Sequence, residues 1–333
     1  MSRRPRSKKT EENKVASELL TAIQFISCAQ RAIGSPFQTH CRVGNGVAIA
    51  FDSVLAAGYP IEEIIAACPQ TDKLIHALKQ CTAGFSVTQL ESNRIAVRSG
   101  SFRALVPCAQ SEDLPYITPD SPTVATDERL NNALAAVAFL ATENSPAVLT
   151  ASILMRSCSC IATNRNVMLE YWHGIPMPGD MVVPKVAIAA VIKVAKKITH
   201  CGFSPTSVTF YFEGGAWIKS QVYTEAWPDV SAILDKPSNP WEVPTALFPA
   251  LKSVAPFSED NALYLQKGRV GSHATEDTGA TCDVEGLPDG MGFVRDDFIS
   301  LEPFFKKADF LAHDTIVYFF GDGVRGAMCK RKG

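Results

Sequence analysis

The sequence has little of what a membrane segment, a metal centre or a nucleotide-hydrolysing site needs. No stretch reaches the roughly 18 uninterrupted apolar residues of a membrane-spanning helix, so no membrane partner is expected. The N-terminal MSRRPRSKKTEENK has no apolar run behind its basic residues and does not read as a signal peptide. Residues 1–13 are expected to form a disordered basic tail. A P-loop is missing, which removes the usual phosphate cradle of an NTPase. The six histidines, His40, His76, His173, His200, His273 and His313, form neither an H-x-x-x-H nor an H-E-x-x-H pattern. The ten cysteines have no two pairs at zinc-site spacing, and Cys158 and Cys160 stand alone as a C-x-C. Strand alternation would put those two thiols on one face. Reduced, mostly buried thiols in a cytosolic protein are expected, with no cofactor and no metal. No histidine–acid arrangement orients Cys158 or Cys201, so a thiol enzyme lacks its activating neighbour.

One further absence is local. VVPKVAIAAVIKVAKKI, residues 182–198, contains four lysines and no acid, in a chain of formal net charge −2. At helical spacing Lys185, Lys193, Lys196 and Lys197 fall within roughly a 120° arc. Ile188, Val191, Ala195 and Ile198 fall on the other side. The stretch also has no aromatic residue, which disfavours a single-strand-binding surface built on base stacking. By itself such a stripe is compatible with a solvated helix face.

What is present is a repeat. One unit recurs three times with a period of about 110 residues. Each copy opens on an amphipathic helix: KVASELLTAIQFISCAQ, DERLNNALAAVAFLA and VPTALFPALKSVA. Alternating strand-like segments follow, then a second helix: CPQTDKLIHALKQ, VPKVAIAAVIKVAKKI and VRDDFISLEPFFKKA. A hairpin pattern closes each copy, turning at ESNR, EGGA and GDGV between Val-, Ile-, Phe- and Tyr-rich runs. Linkers fall at SEDLPYITPDSPTVATD and DKPSNPWEVP, where Pro, Ser, Asp and Thr cluster. The expected fold is α+β: three domains of one topology over residues 14–119, 120–236 and 237–333. The helical segments together carry about +5 and the tail about +3, leaving roughly −10 on strands and loops. Such a distribution suits a polyanion on the helical side, and duplex DNA is the commonest long one.

Three stretches carry a resemblance to a known family. LESNRIAVRSGSFRALVPCAQSEDLP (residues 90–115) is similar to the last hairpin of the first domain of the bacterial DNA polymerase III beta sliding clamp, with its V-R-S-G and D-x-P-like end. IATNRNVMLEYWHGIPMPGDMVVPKVAIAAVIKVAKK (residues 161–197) resembles the second domain's A-T-D-G-x-R-L strand, then I-V-P and a helix. IKSQVYTEAWPDV (residues 218–230) is similar to the strand ending in aromatic-Pro-Asp. The likeness runs over the whole chain after the tail and is weakest in the third copy. The chain is short for the bacterial protein, which fits a phage-encoded or otherwise diverged member.

The resemblance implies a head-to-tail homodimer: six domains in a ring, helices inside, sheet outside. Such a ring encircles duplex DNA without reading sequence, tethers the replicative polymerase, is opened by an ATP-driven clamp loader and catalyses nothing. It would act in the cytoplasm. The candidate phosphate contacts are Lys14, Arg31, Lys73, Lys79, Lys185, Lys193, Lys196, Lys197, Lys306 and Lys307. The family's partner-peptide pocket maps onto Thr163, Asn164, Arg165, Asn166, Met168, Pro228, Ile233 and Met328, which are expected to border one exposed apolar groove. This chain departs from the family at Asn164–Arg165, where the family has Asp-Gly, at Ala232 in place of a basic residue, and in its ending MCKRKG. Plain core packing is the competing reading for Met168, Ile233 and Met328. Other readings of the whole chain are a trimeric clamp with an unrelated C-terminal domain, a non-ring DNA-binding protein and a cysteine-dependent enzyme.

Overall fold

The computed structural model describes residues 18–62, 65–82, 84–91, 93–194, 196–275 and 278–331. The chain packs as two compact units, one formed by residues up to Asn131 with Val186–Val222, the other by Asn132–Lys185 with Tyr223–Gly333. Lys14 lies outside the described residues.

In the first unit a seven-stranded antiparallel sheet runs in the order Arg42–Gly44, Val47–Phe51, Leu55–Pro60, Trp217–Gln221, Ser207–Phe212, Ile198–Ser204, Pro122–Ala125. Its middle joint, Leu55–Pro60 against Trp217–Gln221, pairs strands that the repeat assigns to different copies. Gly58 faces Trp217 there, and a Cβ at that position would lie 2.2 Å from the indole, so only glycine fits. A three-stranded sheet, Ser86–Leu90, Arg94–Ser99 and Phe102–Pro107, completes the first copy. Helix α1 (residues 18–26) buries Leu19, Ala22, Ile23 and Ile26, the spacing of one helical stripe. Helix α2 (Thr71–Lys79) buries Leu74, Ala77 and Leu78 and carries Asp72 in its first turn, where the helix dipole favours an acid.

In the second unit an eight-stranded antiparallel sheet runs Met181–Pro184, Ser152–Met155, Ser159–Thr163, Val167–Trp172, Val324–Cys329, Ile316–Gly321, Lys307–Asp309, Trp241–Glu242. Again the joint, Val167–Trp172 against Val324–Cys329, pairs two copies. A four-stranded sheet holds Thr281–Asp283, Arg269–Gly271, Ala262–Gln266 and Met291–Val294. Helix α3 (Glu128–Ala138) is divided between the two units and α4 (Lys185–Lys193) belongs to the first but for Lys185, whereas α5 (Leu247–Val254) and α6 (Arg295–Ser300) belong to the second. The core around α5 and α6 is built of phenylalanine: Phe293 and Phe298 lie 4.8 Å apart and Phe305 and Phe319 5.0 Å, ring centre to ring centre.

All three expected hairpins form, and their turns hold left-handed residues: Asn93 at φ +49°, Gly214 and Gly215 at +84° and +81°, Gly323 at +64°. Two helices end earlier than their patterns. α4 stops at Lys193, because the next strand begins at Ile198, whose side chain is buried and whose backbone pairs with Phe212. α6 stops at Ser300, and Pro303 directs the chain into a 3-10 turn, Glu302–Phe304. Cys158 and Cys160 do not share a strand face, because the strand starts at Ser159 and leaves Cys158 exposed in the turn before it.

Candidate functional site

On one face of the eight-stranded sheet Leu154, Ile161, Met168, Val182, Tyr318 and Ala327 form an apolar floor with Val230 and Leu234 from the overlying segment. Met168 and Tyr318 both pair with Ala327, which places three neighbouring strands on this face. The segment above the floor ends in the one-turn helix Ser231–Leu234. Trp227 is anchored through its indole N–H, which donates to Ser152 Oγ at 3.1 Å. Half-buried Val148, Trp227, Ile233, Ile316 and Phe320 form the rim, and Pro228 is exposed beside it.

The eight expected pocket residues are not all brought together. Met168 and Ile233 meet in this cluster, but Met168 is 6% exposed and packs as core, so it does not line the expected open groove; Ile233 is half-buried, and Pro228 is exposed next to Trp227 in the chain. Met328 does not: it pairs with Val167 and Val317, one residue out of phase with Met168, so its side chain points to the opposite face and is 2% exposed. Missed by sequence reasoning were Leu154, Val182, Trp227, Tyr318 and Phe320. For Leu154, Tyr318 and Phe320 the signal was present in the alternation of SPAVLTASILM and IVYFFG, but which strands would pair was not.

Thr163 to Asn166 form the turn that leads into Met168. Thr163 Oγ donates to the Val167 carbonyl at 2.6 Å and accepts from the Arg165 amide at 3.0 Å. Asn164 Oδ1 accepts from the amides of Asn166 and Val167 at 3.0 and 2.8 Å. The carboxylate of Asp297 on α6 accepts from Asn164 at 2.7 Å and from Asn166 at 3.0 Å. Arg165, where the family has glycine, sits at φ +80°.

Beyond the apolar floor lies a charged group. Glu170, 2% exposed, accepts from Ser159 at 2.6 Å and from Arg325 at 2.7 Å, with Arg156 4.0 Å away. Arg325 also reaches the Leu234 carbonyl at 3.3 Å and the Asp235 carboxylate, and stacks over Trp172 at 5.0 Å. Burial works against its charge, but Glu170 and Asp235 more than offset this and raise its pKa.

The candidate cations fall into distinct settings. Lys73 and Lys79 are exposed on α2, with exposed His76 between them on the same face. Lys193 is exposed at the end of α4. Arg31 lies 3.8 Å from Asp52. Lys185 is half-buried, donates to the Ala138 carbonyl, and has its pKa lowered by burial. Lys196 and Lys197 lie beyond the end of α4, so the four lysines do not form one helical stripe. Lys196 donates to Tyr59 Oη at 3.2 Å, its ammonium 4.9 Å from the ring centre. Lys197 lies 3.8 Å from Glu128. Lys306 and Lys307 are not on α6: Lys307 begins a strand and pairs with Glu242 at 3.0 Å, and Lys306 pairs with Asp322.

The buried thiols are poorly suited to nucleophilic chemistry. Burial pushes Cys28 and Cys41 up to about 12 and Cys108 up to about 11, and raises Cys201.

Solved structures that this fold matches include bacterial sliding clamps. The Caulobacter crescentus beta sliding clamp superposes with a TM-score of 0.82 at 17% identity, covering 96% of this chain and 98% of that one. The Bacillus subtilis DNA polymerase sliding clamp gives 0.81 at 12% identity over the same shares. A Pseudomonas aeruginosa sliding clamp bound to griselimycin gives 0.77 at 13% identity, again over 96% and 98%. The chain therefore has the bacterial sliding-clamp fold, with its antiparallel sheets and paired helices. No protein-family model matches the sequence, and no curated protein matches it.

Proposed function

We propose that the chain is a DNA sliding clamp, a processivity factor for DNA replication that encircles duplex DNA and tethers a DNA polymerase. The observation that carries this reading is the agreement of fold with bacterial clamps over nearly the full length of both chains. Two copies, head to tail, would close a ring of six repeats. A sliding ring needs weak, movable contacts to phosphates and no reading of base edges. Lysine ammoniums on flexible stems suit that task, and among the described residues Lys73, Lys79 and Lys193 are the exposed candidates with no carboxylate in ion-pair reach. Retention then comes from topology, so each contact can stay weak.

The docking place for a peptide of the polymerase is the face where half-buried Val148, Trp227, Ile233, Ile316 and Phe320 cover the buried floor around Met168, since these are the apolar side chains of the cluster that a peptide could reach. A separate ATP-driven loader would open the ring, and the chain itself would catalyse nothing. Its place of action would be the cytoplasm.

The test is retention on DNA. Purified protein should scatter light as a dimer and stay on circular duplex through a salt wash once loaded. It should be lost when the circle is cut. A monomer or a trimer at micromolar concentration, or equal retention on cut and closed DNA, would refute the ring. Griselimycin, which a Pseudomonas aeruginosa clamp of this fold binds, is proposed to take the same face here and serves as its probe.

A further inference from the structure

We infer that Asp297, which belongs to the third repeat, is the positioning residue that holds the turn of the docking face in its working register. The inference rests on the docking reading above.

The turn between Ser159–Thr163 and Val167–Trp172 is built against its own sequence. Arg165 adopts φ +80°, a region that an L-residue with a side chain enters at a cost and that glycine enters freely. Asn164 and Asn166 flank it, and their amide groups both donate to the two oxygens of Asp297. With its Nδ2 held there, Asn164 presents Oδ1 to the Asn166 and Val167 amides, and Thr163 Oγ accepts from the Arg165 amide. The two asparagines on either side of Arg165 are thus fixed from outside by one carboxylate on α6.

The register matters because Thr163 pairs with Met168, and Met168 forms part of the apolar floor. A slip by one residue would turn Met168 away and present Val167 in its place. The Asn166 carbonyl also accepts from the Cys329 amide at 2.7 Å, so the same turn ties down the neighbouring strand of the floor.

Asp297 is not among the apolar residues of the floor, so its effect must pass through the turn. The experiment compares wild type with Asp297→Ala, Arg165→Gly and the double variant by hydrogen exchange of the amides of residues 164–167, with griselimycin binding as a second readout. Asp297→Ala should speed exchange at these amides by about tenfold or more, while amides in the distant strand Ser207–Phe212 keep their rates. Arg165→Gly added to Asp297→Ala should restore most of the protection, because the turn then needs no external hold. Unchanged exchange in Asp297→Ala, or no recovery in the double variant, would overturn the inference. Should Asp297→Ala not fold, Asp297→Asn keeps the shape and one acceptor, and should give the same order with smaller amplitude. Griselimycin binding should follow the exchange order. If wild type itself fails to bind griselimycin, that counts against the docking reading, and the exchange measurement still decides the role of Asp297.

Discussion

Lys219 donates to the carboxylate of Asp120 at 2.9 Å and to the carbonyl of Thr118 at 3.1 Å, so a strand of the middle copy's closing hairpin grips the linker that precedes that copy. Arg325 repeats the arrangement one copy later, reaching the carboxylate of Asp235 and the carbonyl of Leu234 from the third copy's hairpin. Each linker is thus held by a cation on the copy it leads into.

Replacing Lys219 with Met removes the cation from a carboxylate that is 8% exposed. Ser207 and Thr209 still donate to Asp120, each at 2.9 Å. A loss of about 2–3 kcal/mol is expected by urea unfolding. Arg325→Met should cost at least as much, because it strands the carboxylate of Glu170, which is 2% exposed. A loss below about 0.5 kcal/mol for either, the size of an ordinary surface change, would mean that the linkers are held by packing alone.

Lys73, Lys79 and Lys193, changed together to Ala, should weaken duplex binding without sequence preference. For every phosphate that is no longer neutralised, the dependence of log affinity on log salt should flatten by about 0.9. Lys306→Ala with Lys307→Ala should leave the salt dependence unchanged, since both ammoniums already meet acids. Titration of labelled duplex across salt separates the two sets, and equal effects would remove the assignment.

Met328 is buried and Ile233 only half-buried, and substitutions at the two should behave differently. Met328→Ala should cost about 2–5 kcal/mol of stability, because it opens a cavity in a closed core. Ile233→Asp, on the half-buried rim, should leave folding largely intact and, on the docking reading proposed above, abolish binding of the polymerase in calorimetry. Full binding by Ile233→Asp would place the docking site elsewhere.

Alkaline pH should destabilise the fold. Cys28 and Cys41 are raised to about 12 by burial, from an ordinary thiol value near 9.0. Above the unfolded value the native state binds more protons than the unfolded one, so stability falls as pH rises from about 9 toward 12, by up to about 1.4 kcal/mol per unit for each thiol. Urea midpoints at pH 7.5, 9.5 and 10.5 check this. Cys28→Ala with Cys41→Ala should flatten the slope, and an unaltered slope would assign the loss to other groups.

The sequence made the local elements readable. Hairpins were marked by alternation and by glycine or asparagine turns, and the buried stripe of α1 was visible in ELLTAIQFI. What it hid was settled by partners distant in the chain. Nothing in KVAKKI stops a helix; Ile198 leaves it to pair with Phe212. The face of Met328 depends on a register with Val167 that no local pattern carries. Pairing likewise decides that Lys307 sits on a strand beside Glu242. The turn at Arg165 reads as a departure from a family pattern, and only the structure reveals that the backbone keeps the glycine conformation with arginine in place.

The pairing of strands from successive copies has a consequence for how the molecule comes apart. The stretch of chain that recurs and the body that packs together are different pieces, because each compact unit takes part of the middle copy. A fragment cut at a copy boundary would leave Leu55–Pro60 or Val324–Cys329 with a bare row of amides and carbonyls, the kind of edge that recruits foreign strands. Excising a single copy should therefore yield a sticky, aggregating product. Scission in the linker between Pro115 and Ser121 should instead leave two pieces that stay together, since Leu55–Pro60 and Trp217–Gln221 lie on opposite sides of the cut and remain zipped.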